Sequence, residues 1–403
     1  MSDEYNYQEI VPYLLDWFDL NARILPWREE PTPYHVWVSE IMLQQTRVEA
    51  VKRYYERFLD ALPTIKDLAS ATEDELLKLW EGLGYYSRVR NLQKAAIIIE
   101  NEYGGELPDT YEELLKLPGI GTYTAGAIAS MAFGIPIAAV DGNVFRIAKR
   151  LAGSFDDITK SSVKKEMEVI FTSITPRERA GAFNQSLMDF GATVCIPNGK
   201  PLCDQCPLSH LCLAFKRDQQ MMIPVKPAKK ARRVEEKTVI LIEYQKRYVI
   251  HRREAKGLLS GMWELPNIEG FHSIDYLDNN YKLNRIAEVT RIGEYKHIFS
   301  HVEWSMVGYL IRVKSKAGLQ RIIKKLGGDT SKIYGLTESK EVLSNEVNSS
   351  IIKEGNISEK EERVEPSSDK NTPYLIASLE ELKGQFAIPS AFDAFKLWEK
   401  KPS

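Results

Sequence analysis

All four cysteines of the chain fall between Cys195 and Cys212, spaced C-x7-C-x2-C-x5-C. Disulfides rarely persist in a reducing compartment, so thiols clustered in an intracellular chain point to metal. Four thiolates can hold a tetrahedral zinc or a cubane iron–sulfur cluster, and spacing alone does not separate the two. Pro197, Pro201 and Pro207 suit a loop wrapped around such a centre. Lys200, His210, Lys216 and Arg217 could set positive charge beside it for a phosphate backbone.

Two carboxyls stand out in the first half of the chain. Val36-Trp-Val-Ser-Glu-Ile-Met-Leu-Gln-Gln-Thr46 places Glu40 among apolar residues on a predicted helix. Burial disfavours the charged form, so Glu40 is expected to hold its proton near neutrality. In Ala139-Val-Asp-Gly-Asn-Val144 an apolar run ends at Asp141 and a helix begins, a place that favours the ionised form. Two carboxyls held in opposite protonation states suit glycosidic cleavage, one as acid and one as stabiliser of a sugar cation. Taken singly, Glu40 is equally a surface helix residue and Asp141 a plain helix N-cap. Between them lies Leu117-Pro-Gly-Ile-Gly-Thr-Tyr-Thr-Ala125, joining a helical pattern at Tyr111–Leu117 to another at Ala125–Ala132. Glycines beside a helix N-terminus let backbone amides approach a phosphate without reading sequence. A tight interhelical turn is the alternative.

These residues need a helical frame. Residues 1 to about 225 read as helices, as in Glu73–Trp80 and Val89–Ile99, where apolar residues recur at helical spacing. Residues 226–237 form a basic, Pro-containing linker. From 238 the pattern turns to short β runs, Thr238–Tyr244, Tyr248–Arg252 and the longer His301–Val313. About 338–371 is polar and acidic, expected as a mobile insertion, and Ser390 is expected to cap a short helix bearing Phe392, Phe395 and Trp398. Hydrophobic content of 43% and charged content of 27% are those of an ordinary soluble protein. No apolar run nears the ~20 residues that span a bilayer, so no membrane partner is expected. The acidic N-terminus lacks a signal-peptide layout, which makes the expected location cytoplasmic, with the nucleoid if bacterial. A net charge of −2 leaves nucleic acid neither announced nor excluded.

Taken together these motifs resemble the endonuclease III superfamily of helix-hairpin-helix DNA glycosylases, and within it the MutY-type adenine glycosylases. The resemblance runs through Leu25–Arg28, Ser39–Thr46, Gly82–Arg88, Leu117–Gly126 and Val140–Val144 to the cysteines. It implies a mostly α helix-hairpin-helix glycosylase core with an iron–sulfur module. Residues 29–137 would form a helical barrel, and 1–28 with 138–225 the module that carries the cluster. Bifunctional relatives place an attacking lysine just after the hairpin glycines, where this chain has Tyr123, so a monofunctional enzyme is implied. By the same resemblance Glu40 protonates adenine at N7 and Asp141 stabilises the cation, with Tyr123 and Asn143 holding Asp141 and the sugar. Gln45 and Tyr85 match positions that wedge into the duplex. Trp27, Arg28 and Gln185 fall near the base pocket, with Trp27 as plain core the alternative. Pro118, Gly119 and Gly121 would grip phosphate. Cys195, Cys203, Cys206 and Cys212 would bind a [4Fe–4S] cluster, although the resemblance expects six residues between the first two where this chain has seven.

Gly257–Pro266 and Lys296–His301 resemble the C-terminal domain of the same proteins, an α+β Nudix-like fold over 238–403. A working Nudix enzyme needs a helix of clustered glutamates for magnesium, and here Glu269 and Asp275 stand isolated. The domain is therefore expected to recognise, with Phe299, Ser300 and His301 reading 8-oxoguanine opposite the adenine. The implied partner is duplex DNA carrying adenine opposite 8-oxoguanine or guanine, bound by a monomer. Rival readings are a glycosylase for thymine or oxidised pyrimidines, a DNA-binding protein without turnover, and a nucleotide-pool hydrolase.

Overall fold

The computed structural model describes residues 5–227, 231–254, 256–330, 333–335 and 373–399. The insertion expected at about 338–371 lies outside them. The chain divides into two compact units, Met1–Lys229 and Lys230–Ser403.

The first unit is helical, in the order α1 (Ile10–Asn21), α2 (Pro26–Glu29), α3 (Pro33–Leu43), α4 (Val48–Ala61), α5 (Ile65–Ser70), α6 (Glu73–Leu79), α7 (Ser87–Glu102), α8 (Tyr111–Leu114), α9 (Thr122–Ala132), α10 (Gly142–Leu151), α11 (Ser161–Ile174), α12 (Ala180–Thr193) and α13 (Leu213–Lys216). Thr32 starts α3 by accepting the His35 amide, with Pro33 at the first helical position. Every residue from Val36 to Met42 is buried, so α3 has no wet face and Glu40 is inside by construction. It packs on α9, and α9 on α12. Gly126 on α9 lets the chain leading into α10 pass close by: a Cβ there would sit 2.5 Å from the Ala138 carbonyl oxygen. The helical pattern expected at Tyr111–Leu117 ends early, at Leu114, because the chain must turn into the hairpin. One core gathers Ile10 and Leu14 of α1 with Ile147, Phe171, Phe183, Leu187 and Phe190 of α10–α12, and Cys195, Cys206 and Cys212 pack against it.

The second unit is an eight-stranded mixed sheet of β1 (Arg233–Tyr244), β2 (Arg247–Arg252), β3 (Trp263–Glu264), β4 (Asn267–Glu269), β5 (Ala287–Ile298), β6 (Val302–Val313), β7 (Ile333–Tyr334) and β8 (Tyr374–Ala377). Its main path runs β5-β6-β1-β2-β8-β7, with β3 on β2 and β4 on β1. Strand β1 begins at Arg233, inside the stretch expected as linker, because Arg233 to Glu243 pair in parallel with Val302 to Arg312. Paired backbone holds a strand even where the side chains are polar. Further along β1 the run Val239-Ile-Leu-Ile242 is apolar throughout, since both faces are covered. Ile240 and Ile242 meet α14 (Ile274–Tyr281) and α15 (Lys316–Lys325) through Leu277, Leu319 and Ile322. Val239 and Leu241 meet Phe386, Phe392 and Phe395, beyond and including the contribution of α16 (Leu379–Gly384) through Leu382. Ser390 does not cap there: it is the first residue of a 3-10 turn that follows Pro389, with no side-chain cap bond. No helix among the described residues is long and apolar enough to cross a membrane.

Candidate active site

A cleft opens in the helical unit, and its walls include Trp27, Arg28, Glu40, Tyr123, Asp141, Asn143 and Gln185. Seven residues singled out in the sequence thus converge. Glu40 is 3% exposed. Burial pushes its carboxyl up to about 7; the Tyr123 hydroxyl and Arg28 oppose the rise, and the Asp141 charge adds to it. Tyr123 donates its hydroxyl proton to Glu40 Oε2 at 2.8 Å. The resemblance implies that Tyr123 and Asn143 together hold Asp141 and the sugar; Asn143 bonds Asp141, while the packing of α9 on α3 gives the Tyr123 hydroxyl to Glu40.

Asp141 is the N-cap of α10, accepting the amides of Asn143 (2.8 Å) and Val144 (3.0 Å) on Oδ1. Its other oxygen accepts Asn143 Nδ2 at 2.6 Å. The ionised form was expected to be favoured, yet burial raises this carboxyl above its ordinary range despite those donors and the Arg146 charge. Opposed shifts are therefore corrected to two raised carboxyls, the aspartate with three hydrogen-bond donors and the glutamate with one.

Several supporting residues carried no local signal. Asp189 is fully buried and pairs with two guanidinium groups: Arg28 through NH1 (2.8 Å) and NH2 (2.9 Å), Arg23 through Nε (2.9 Å) and NH2 (2.7 Å). Burial works against its charge, but the two forks hold the carboxyl below its usual range. Asn184 accepts the Ala139 amide at 2.8 Å and donates to Ile137 O at 2.9 Å, fixing the chain that leads into Asp141. Arg146 donates to Asn143 Oδ1 (2.8 Å), Gly191 O (2.7 Å) and Cys195 O (2.7 Å). Gly191 leaves room for Asn143, which a Cβ would approach to 2.6 Å. All these contacts except Arg146–Asn143 span forty residues or more, so no spacing rule finds them.

Pro118, Gly119 and Gly121 form the turn before α9, with Gly119 at φ +81° and Gly121 as the exposed N-cap. Gln45 and Tyr85 do not line the cleft; both are exposed and both have positive φ. The four cysteines line one cavity. Arg150 approaches Cys195 Sγ at 3.3 Å, and Cys212 Sγ donates to Arg150 O at 3.4 Å. Among the described residues, no three His, Cys, Asp or Glu side chains gather as ligands of a single ion.

In the sheet unit Phe299, Ser300 and His301 form the β5–β6 hairpin tip. The Phe299 amide donates to Val302 O at 2.8 Å and its ring meets Trp304 at 4.9 Å, while Ser300 and His301 are exposed. Glu269 and Asp275 remain apart from any metal-holding group among the described residues.

Residues 38–172 match the HhH-GPD superfamily of base excision DNA repair proteins, and 238–336 match the NUDIX domain. The chain is 35% identical over 302 residues to an adenine DNA glycosylase of Buchnera aphidicola subsp. Schizaphis graminum, covering 74% of this chain and 86% of that one. It is 34% identical over 353 residues to the human adenine DNA glycosylase, covering 72% of this chain and 64% of that one. A thermostable thymine-DNA glycosylase structure is 30% identical, with TM-score 0.48, over 52% of this chain and 97% of that one.

Proposed function

The chain belongs to the adenine DNA glycosylase family, and from that premise we propose that it hydrolyses the N-glycosidic bond of adenine mispaired with 8-oxoguanine or guanine in duplex DNA, leaving an abasic site. The observation that carries this reading is Glu40, a buried acid poised at about 7 in the same cleft as Asp141. Adenine leaves the stack at a cost of about a few kcal/mol, offset in part by Gln45 and Tyr85 in the gap. Trp27, Arg28 and Gln185 hold the extruded base. Glu40 gives its proton to N7, and the C1′–N9 bond breaks with its electron pair passing to N9. The cationic sugar faces Asp141, kept in place by the α10 amides and Asn143. Water then adds to C1′ and releases a proton.

Tyr123 offers no amine for a Schiff base, so strand cleavage does not accompany base release. In the sheet unit Ser300 and His301 read 8-oxoguanine from a tip anchored by Phe299. The glutamate cluster that a Nudix hydrolase needs is missing from the sequence, so this domain binds and does not turn over nucleotides. The enzyme acts as a monomer in the compartment that holds the DNA.

The cysteines fit a [4Fe–4S] cluster better than zinc. A zinc needs four sulfurs about 2.3 Å from one point, whereas a cubane spreads its thiolates over four irons. Four thiols that line one cavity without gathering on one ion suit the second case. Bound there, a cluster would cross-link the chain beside the basic residues Lys200, Lys216 and Arg217. Cys195, Cys203, Cys206 and Cys212 would hold it.

The test is single-turnover base release from duplexes with adenine opposite 8-oxoguanine, guanine, cytosine or thymine, scored with and without alkali. Release fastest opposite 8-oxoguanine, with strand breaks only after alkali, supports the reading. Release of thymine or an oxidised pyrimidine in place of adenine would overturn it, and breaks without alkali would overturn the monofunctional part.

A further inference from the structure

Arg88, the second residue of α7, is buried with 8% exposure. Its NH1 donates to the carbonyls of Ile41 (2.8 Å), Met42 (2.9 Å) and Gln44 (2.7 Å). Its NH2 donates to the carbonyls of Leu83 (3.2 Å) and Gly84 (3.0 Å) and to Thr46 Oγ1 (3.3 Å). The first set is the C-terminal end of α3, where carbonyls lack helical partners and the helix dipole is negative. The second set belongs mainly to the turn between α6 and α7. The guanidinium carbon also lies 5.3 Å from the Trp80 ring centre and 5.6 Å from that of Tyr85. One side chain therefore ties two loops together.

Each of those loops carries a non-glycine residue in left-handed backbone, Gln45 at φ +57° and Tyr85 at φ +49°. Such backbone persists only where its surroundings over-determine it, and it concentrates at functional sites. Neither side chain is buried: Gln45 is exposed, and Tyr85 is 44% exposed.

We propose that Arg88 is a positioning residue for base extrusion, locking the Gln45 loop and the Tyr85 turn into one two-pronged wedge. The proposal rests on the glycosylase reading above. Only a planar fork with donors on both sides reaches the two loops together; an ammonium with three protons on one atom cannot span six acceptors.

A double-mutant cycle tests this. Single-turnover adenine release from an adenine–8-oxoguanine duplex is measured for wild type, Arg88→Lys, Gln45→Ala/Tyr85→Ala and the triple variant. Extrusion is followed separately by the fluorescence of 2-aminopurine in place of the target adenine. Arg88→Lys is expected to slow release about 30-fold in the native background, and less than about threefold once both prongs are gone, because it then has nothing to position. The 2-aminopurine signal falls in step with the rate. Gly84→Ala gives a second arm if Arg88→Lys does not fold. Its added Cβ meets nothing within 4 Å, so it perturbs only the φ +70° turn beneath Tyr85. Its loss, about fivefold, should likewise vanish without the prongs. Equal losses in both backgrounds, or an unchanged 2-aminopurine signal, overturn the proposal and leave the glycosylase reading standing. A wild type that releases no adenine removes both.

Discussion

The two units hold their functional residues in opposite ways. In the helical unit the carboxyls are shielded, Glu40 buried on a helix with no wet face and Asp141 half-buried under three donors. In the sheet unit Ser300 and His301 are exposed on a hairpin tip whose Phe299 ring packs on Trp304. The difference suits the tasks proposed for them. A general acid must be desolvated to keep its proton near neutrality, whereas a group that reads a base edge must reach out of its own fold. Changes in the first unit should therefore cost rate or stability, and changes at the tip should cost selectivity alone.

Four changes sharpen or break that contrast. The largest effect is expected from Asp141→Asn, which removes the charge proposed to face the sugar cation. Single-turnover release should fall about 10²–10³-fold on every adenine mispair alike, and a loss confined to one opposite base would break the contrast. Next comes Asp189→Asn, which leaves two guanidinium groups facing a neutral amide. Chemical denaturation should show a loss of about 3 kcal/mol, since one partner of a buried ion pair has gone. A variant as stable as wild type would mean that the pair is not holding the cleft wall. Ser300→Ala/His301→Ala should lower the preference for 8-oxoguanine over guanine about tenfold, as expected for lost hydrogen bonds, with little change opposite guanine. An equal loss on both substrates would make the tip a plain DNA contact. The smallest effect is in pH dependence. In the proposed mechanism Glu40 acts as the protonated acid, so release should decline as pH rises through about 7. Tyr123 donates to the ionised carboxylate and so lowers that value; Tyr123→Phe should move the declining limb to higher pH, and a shift to lower pH would contradict the assigned bond.

How much of this was legible depended on how local the cause was. Asp141 as a helix N-cap and Glu40 within an apolar helix follow from neighbouring residues, and both could be read. The partner of Tyr123 could not, because Tyr123 and Glu40 meet only when α9 packs on α3. The raised carboxyl of Asp141 escaped for the same reason: the amides at a helix start are visible in sequence, but the depth of burial that outweighs them is not. Arg88, Arg146, Asn184 and Asp189 look like ordinary polar residues on helices until their distant partners are known. The start of β1 at Arg233 was hidden too, since a basic run paired along β6 reads as linker when its partner is unseen.

The central claim is that a buried acid releases adenine. Single-turnover release from an adenine–8-oxoguanine duplex at pH 6, wild type beside Glu40→Gln, tests it most directly. The amide fills the same space and keeps the Tyr123 contact but has no proton to give. Wild type should release adenine, and Glu40→Gln should bind the duplex as well while releasing it about 10²–10⁴-fold more slowly. Release by Glu40→Gln at the wild-type rate would contradict the account.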